Sequence, residues 1–145
     1  MPDYQGRREA DIAASPEACF AALTDYDAMP EWQRALERCT VVEHGDGSDV
    51  VDFEVDAKVR TIRYRLRLLY DEPHRIDSTY LDGPFRDFAA NWRFDPAPGG
   101  TRASVEVHLD PGRFVPRPLA RMVEDALLGR AVEDLKARVE EGSHG

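Results

Sequence analysis

Two neighbouring stretches, Val51-Asp52-Phe53-Glu54-Val55-Asp56-Ala57 and Thr61-Ile62-Arg63-Tyr64-Arg65-Leu66-Arg67-Leu68-Leu69-Tyr70, carry the strongest pattern in the chain. In both, apolar and charged residues alternate. A strand turns successive side chains to opposite faces, so this alternation makes one face oily and the other ionic. Val51, Phe53, Val55 and Ala57 share a face, and Asp52, Glu54 and Asp56 share the other. Ile62, Tyr64, Leu66, Leu68 and Tyr70 repeat the scheme against Thr61, Arg63, Arg65 and Arg67. The pair reads as a hairpin with an acidic strand beside a basic one on the solvent face. Each cross-strand ion pair there is worth about 0.2–1 kcal/mol. The alternative, an anion-binding stripe of Lys58, Arg60, Arg63, Arg65 and Arg67, is weaker because the acidic neighbour neutralises it.

The same period continues on both sides. Phe88, Ala90, Trp92 and Phe94 alternate with polar or small residues, and so do Ala103, Val105, Val107 and Leu109. Turn-forming residues interrupt the run at His44–Ser48, Glu72-Pro73-His74, Asp82-Gly83-Pro84 and Asp95–Gly100. Short connections and one oily face predict an antiparallel meander of about six strands from Glu37 to Leu109. Upstream lies another strand, Tyr4 to Ile12. Ser15-Pro16-Glu17 then opens a helix, with Ser as cap and Pro at its first position. Pro30 leaves room for only a short helical piece between Asp27 and Ala35. Downstream the period changes. Leu119, Met122, Val123, Ala126, Leu127, Ala131, Leu135 and Val139 form a helical stripe over about 115–141. About 25 residues at ~1.5 Å each predict one helix nearly 40 Å long. One such helix cannot tile a seven-stranded sheet, so the sheet must curl around it. A gap suited to an apolar ligand is the natural result.

The expected fold is therefore α+β: a curved antiparallel seven-stranded sheet around a long carboxyl-terminal helix, with two short helices after the first strand. A length of 145 residues fits one domain over 1–145. Lys and Arg number 19 against 28 Asp and Glu, a net charge of −9. That field repels phosphate backbones and anionic membrane surfaces, so nucleic acid is not an expected partner. No apolar run is long enough to span a bilayer, which leaves only transient membrane contact open. Met1-Pro2-Asp3-Tyr4 has neither a basic nor an apolar leader region, and Cys19 and Cys39 form no disulfide framework. The cytoplasm, with both thiols reduced, is the expected compartment.

Three pieces in this order resemble the START-like (SRPBCC) superfamily with its helix-grip fold, and within it the polyketide cyclase/dehydrase and coenzyme Q-binding protein-like group. The first runs from Ile12-Ala13-Ala14-Ser15-Pro16-Glu17 to Phe20, then Leu23-Thr24-Asp25-Tyr26-Asp27 and Pro30-Glu31-Trp32. The second is Asp82-Gly83-Pro84-Phe85 with Trp92-Arg93-Phe94, and the third is the carboxyl-terminal helix. The resemblance covers nearly the whole chain and implies a scaffold rather than a ligand. It implies three kinds of role. The favoured one is binding of a hydrophobic small molecule such as a lipid, isoprenoid quinone or polyketide-like aromatic. The second is a polyketide aromatase/cyclase or dehydratase using the same cavity. The third is a module that touches a ribosome or a protein partner.

The candidate ligand-binding residues are Trp32, Phe53, Tyr64, Tyr80, Phe85, Phe88 and Trp92 as an aromatic wall, with Leu119 and Met122 as a lid. Ordinary core packing competes for each of them. Phe85 reads either as a gate at the cavity mouth or as a side chain packed down from its turn. No catalytic constellation, metal site or cofactor is expected. His44, His74, His108 and His144 fall in turns, on a polar strand face and in the tail. None has the helical spacing of a metal pair. The serines lack a nucleophile-elbow context, and Gly45-Asp46-Gly47 and Pro98-Gly99-Gly100 read as turns rather than phosphate loops.

Overall fold

The computed structural model of the protein describes residues 4–33, 35–56, 60–113 and 115–142. Ala57, Lys58, His144 and the side chains of Ala126 and Leu127 lie outside the described parts. The elements follow in the order β1 (Tyr4–Ile12), α1 (Pro16–Thr24), α2 (Met29–Trp32), β2 (Leu36–Gly45), β3 (Ser48–Asp56) and β4 (Thr61–Asp71). Then come β5 (Arg75–Asp82), β6 (Asp87–Ala97), β7 (Gly100–Asp110), α3 (Arg117–Gly129) and α4 (Ala131–Gly142). All seven strands pair antiparallel in one sheet, ordered β1-β7-β6-β5-β4-β3-β2. The first strand thus pairs with the last, and the chain from β2 to β7 is a simple meander.

Alternation sorts the two faces as expected. Val51, Phe53, Val55, Ile62, Tyr64, Leu66 and Leu68 are buried on the concave side, as are Phe88, Phe94, Val105 and Leu109. On the convex side the register sets Asp52 opposite Arg65 and Glu54 opposite Arg63. Arg65 donates to both carboxylate oxygens of Asp52, at 2.6 and 3.0 Å, and Arg63 bonds Glu54 at 3.2 Å. The guanidinium bond is the main cause holding the Asp52 carboxyl below its usual range. Arg67 reaches Glu43 at 3.8 Å, and Arg38 reaches Glu54 at 3.6 Å. Arg63, Arg65 and Arg67 therefore spend their charge on the outside of the sheet.

The helical elements start where the local chemistry directs. Ser15 Oγ accepts from Ala18 N at 3.2 Å, and Pro16 occupies the first turn of α1. Pro116 caps α3 from outside, with Pro118 in its first turn. The carboxyl-terminal helix comes in two lengths rather than one. Arg130, with φ −123° and ψ −11°, separates α3 from α4. Gly129 precedes it, the weakest helix former besides proline. Asp134 N bonds Arg130 O at 2.8 Å to begin α4, and Glu133 and Asp134 put acids at its positive end. Both lengths bury one stripe: Leu119, Val123 and Leu128 from α3, and Ala131, Leu135 and Val139 from α4. α3 lies on β1 and β7, and α4 on β1, α1, β7 and α2. The sheet grips the helices from one side, giving the helix-grip α+β arrangement.

One seam in the sheet is weak. β5 and β6 share only two ladder positions, Arg75 with Arg93 and Ile76 with Trp92. Beyond them side chains take over. Asn91 Oδ1 accepts from Ser78 N at 3.0 Å, and Ser78 Oγ accepts from Ala90 N at 2.8 Å.

Candidate functional site

A cavity of about 80 Å³ lies between the concave face and the helices. Its floor is Phe53 of β3, Tyr64, Leu66 and Leu68 of β4, Ile76 of β5, Phe88, Ala90 and Trp92 of β6, and Val105 of β7. Its roof is Leu23 of α1, Tyr26, Met29 of α2, Gln33, Leu36 of β2 and Ala131 of α4. The wall is overwhelmingly apolar. Among the described lining residues, besides the Trp92 indole, only Tyr26, Gln33 and Tyr64 carry side-chain N or O atoms.

Each of the three sits differently. Gln33 is buried, and its Nε2 donates to Ala131 O at 3.3 Å, which ties the end of α2 to the start of α4. Tyr64 stacks on Phe53 at 5.4 Å between ring centroids and leans on Phe88 at 5.0 Å. Among the described residues nothing hydrogen-bonds its hydroxyl, and burial pushes its pKa well above the usual phenol range. Tyr64 is therefore a neutral hydroxyl in an apolar wall. Tyr26 is only 4% exposed, and its Oη lies 2.7 Å from Tyr70 Oη. Tyr70 donates to Asp49 Oδ2 at 2.7 Å, and Asp49 Oδ1 bonds Nδ1 of His44, an imidazole that stands in solvent. A chain of four side chains thus leads from the cavity roof to the surface. Burial is the largest cause raising the pKa of both Tyr26 and Tyr70, so both stay protonated at neutral pH.

Of the residues expected from sequence, Phe53, Tyr64, Phe88 and Trp92 come together on this cavity. The other five lie elsewhere. Trp32 is half-buried against the core at the end of α2. Phe85 packs down on Tyr64 at 6.0 Å and Phe88 at 5.9 Å, only 6% exposed, so it backs the wall from behind. Tyr80 holds the turn that carries Phe85: its hydroxyl donates to Phe85 O at 3.2 Å and accepts from Phe85 N at 3.1 Å. Gly83 lets that turn close. With φ +148°, any Cβ there would stand 2.5 Å from Tyr80 Oη and 2.8 Å from Tyr64 Cβ. Leu119 and Met122 are not among the described residues that line the cavity; their helix, α3, packs on β1, β7 and α4. Among the described residues the cover over the gap is Leu23, Tyr26, Met29, Gln33, Leu36 and Ala131.

Tyr26, Gln33, Asp49 and Tyr70 were not foreseen as a set. For Asp49 a signal existed: it falls in step with Val51 and Phe53, so period two puts a carboxylate on the oily face. Gln33 carries no such signal. Among the described residues no group of three His, Cys, Asp or Glu is placed to hold a metal ion, and no helix is long and apolar enough to cross a membrane. Cys39 is buried, with its thiol pushed up to about 12, chiefly by desolvation.

Solved structures of the same shape are numerous. The Thermus thermophilus protein TTHA0849 superposes with a TM-score of 0.80 at 19% identity, covering 98% of this chain and 99% of its own. The Zhui aromatase/cyclase from Streptomyces sp. R1128 gives 0.79 at 18% identity, covering 99% and 95%. A START superfamily protein from Mycobacterium smegmatis gives 0.76 at 21% identity, covering 96% and 97%. At these identities the likeness shows the fold alone. No curated protein matches the sequence. The family model described as polyketide cyclase / dehydrase and lipid transport matches residues 5–140, and the chain belongs to that family.

Proposed function

We propose that this protein binds a hydrophobic small molecule in the cavity between its sheet and its helices, as a carrier in the cytoplasm with both cysteines reduced. The observation that carries this is the gap itself, walled among the described residues by apolar side chains from α1, α2, α4 and β2 to β7 and dotted with few polar ones. A core evolved only for packing leaves few voids this large. Affinity would come from buried apolar area, about 25 cal/mol per Å² before ordering costs. At about 80 Å³ the cavity is smaller than the ~150 Å³ space that holds benzene in an engineered core. Any ligand of benzene's size or larger, whether an aromatic probe, a lipid, a quinone or a polyketide, therefore requires the wall to part. The β5–β6 seam, with two ladder positions, is the part of the floor with the fewest main-chain bonds.

A second reading, cyclisation or dehydration of a reactive ketone chain, is favoured by one feature, the unpaired Tyr64 hydroxyl. Kept neutral by burial, it can donate to a carbonyl or enolate oxygen. Tyr80 has no such freedom, since the Phe85 backbone occupies it.

The test is to fill the gap. A neutral apolar dye, N-phenyl-1-naphthylamine, suits a chain of net charge −9. It is expected to bind and brighten with the wild type. Ala131→Leu adds an isopropyl group to the roof and should weaken the dye at least tenfold while holding or raising the melting temperature. Equal binding by both proteins, or none by the wild type, would count against the cavity as the ligand site.

A further inference from the structure

We propose that Tyr26 is the polar anchor of the cavity and is held there as a hydrogen-bond acceptor, so that the site takes an apolar alcohol or phenol in preference to the matching ether. This rests on the binding reading above and gives its ligand a chemical class.

The number of protons along the side-chain chain sets the direction of each bond. Asp49 lies near the start of β3 on the concave face, with its side chain 11% exposed. A carboxylate only accepts. Its Oδ2 takes the Tyr70 proton at 2.7 Å, and its Oδ1 is engaged by His44. A phenol has one proton, and Tyr70 has spent its own on Asp49. The 2.7 Å contact between Tyr70 Oη and Tyr26 Oη must then be donated by Tyr26. So the Tyr26 proton points out of the cavity, toward Tyr70. What Tyr26 Oη keeps is lone-pair density, and among the described residues nothing donates to it. Each bond in such a chain polarises the next, which makes the terminal oxygen a better acceptor. A ligand hydroxyl completes the chain. A ligand ether oxygen at the same place sets lone pairs against lone pairs.

The direction of the chain is set by the charge on Asp49, not by His44. Removing the imidazole leaves Tyr70 donating to the carboxylate as before. An amide at position 49 can donate to Tyr70 as well as accept from it, and the Tyr26 proton is then free to turn inward. Asp49 is in this sense a positioning residue, acting on the ligand only through Tyr70 and Tyr26.

The experiment compares 4-ethylphenol with 4-ethylanisole, titrated into the full-length protein by NMR chemical shift. A purely oily wall would favour the ether, which carries one more methyl group. The expected result is the reverse: the wild type binds the phenol about tenfold more tightly, equivalent to ~1.4 kcal/mol. Tyr26→Phe should bring the ratio to about one or below without weakening the ether, whose affinity reports that the cavity is intact. Asp49→Asn should shrink the ratio by at least threefold, again with the ether unchanged, and His44→Ala should leave it as in the wild type. Equal binding of the two probes by the wild type, or a preference that survives Tyr26→Phe, would overturn the proposal and leave the cavity reading standing. Failure of both probes to bind would overturn both.

Discussion

Gly83 shows how much one position can hold. Its backbone lies at φ +148°, and a Cβ there would press on both Tyr80 Oη and Tyr64 Cβ. Strain at such a φ costs about 1–3 kcal/mol before any clash. Gly83→Ala should therefore lower the unfolding free energy by at least ~2 kcal/mol in a urea titration. It should also loosen Phe85, seen as a change in near-ultraviolet circular dichroism. Loss of less than ~0.5 kcal/mol, the range of an ordinary surface substitution, would mean that the turn relaxes freely. Cys39 makes a second prediction, about pH. Burial raises its thiol to about 12, so the folded chain holds that proton more tightly than the unfolded one. The resulting stability is complete below about pH 9 and is lost as pH climbs toward about 12. Tyr26, Tyr64 and Tyr70, raised by the same desolvation, push in the same direction above pH 10. Urea midpoints measured from pH 8 to pH 11 should fall, and Cys39→Ala should flatten the early part of the fall. A level profile would contradict the burial of these groups. Much at this scale could be read from the sequence. The Ser15 cap and the pairing of Asp52 with Arg65 both follow from residue type and spacing. Asp49 could not be read in full: alternation puts it on the oily face, but its partners Tyr70 and His44 come from two other strands. Only the folded register brings them together.

At the scale of elements, the strands were the legible part, because a period of two is either kept or broken. Expectation and structure agree on β1 over Tyr4–Ile12 and on the four turns expected between β2 and β7. The long helix was less legible. Its apolar stripe continues past Gly129 and Arg130, so periodicity alone joins α3 to α4, while the backbone parts them. The cover of the cavity is hard to read for a related reason. A helical stripe tells which side of α3 is oily but not which part of the sheet it covers. The β5–β6 seam has its own prediction. Ser78→Ala removes the oxygen that accepts from Ala90 N, and should cost about 1 kcal/mol. Amide exchange at Ala90 should quicken relative to the well-paired β6–β7 ladder, where Phe88 faces Leu109 and Trp92 faces Val105. Unchanged protection at Ala90 would show that the seam is held by something other than these side chains.

For the molecule as a whole, shape and chemistry point the same way. A seven-stranded sheet is wider than the helices laid on it, and the space left over is apolar because both surfaces that bound it were patterned to be buried. That logic was visible in the sequence, from the two periods and the length of the final helical segment. The volume was not visible, since it depends on how Leu23, Met29 and Ala131 settle over the gap. Nor does an apolar wall name its ligand, which is why the polar exceptions, Tyr26, Gln33 and Tyr64, matter more than their number suggests. The most direct test of a ligand-filled cavity is native mass spectrometry of the protein purified without detergent from the cells that make it, followed by solvent extraction. A stoichiometric extra mass that is released into solvent as an apolar molecule is the expected result, and its absence from Ala131→Leu would place it in the cavity. A wild-type protein that flies only at its bare mass, under conditions that preserve known lipid complexes, would contradict the central claim.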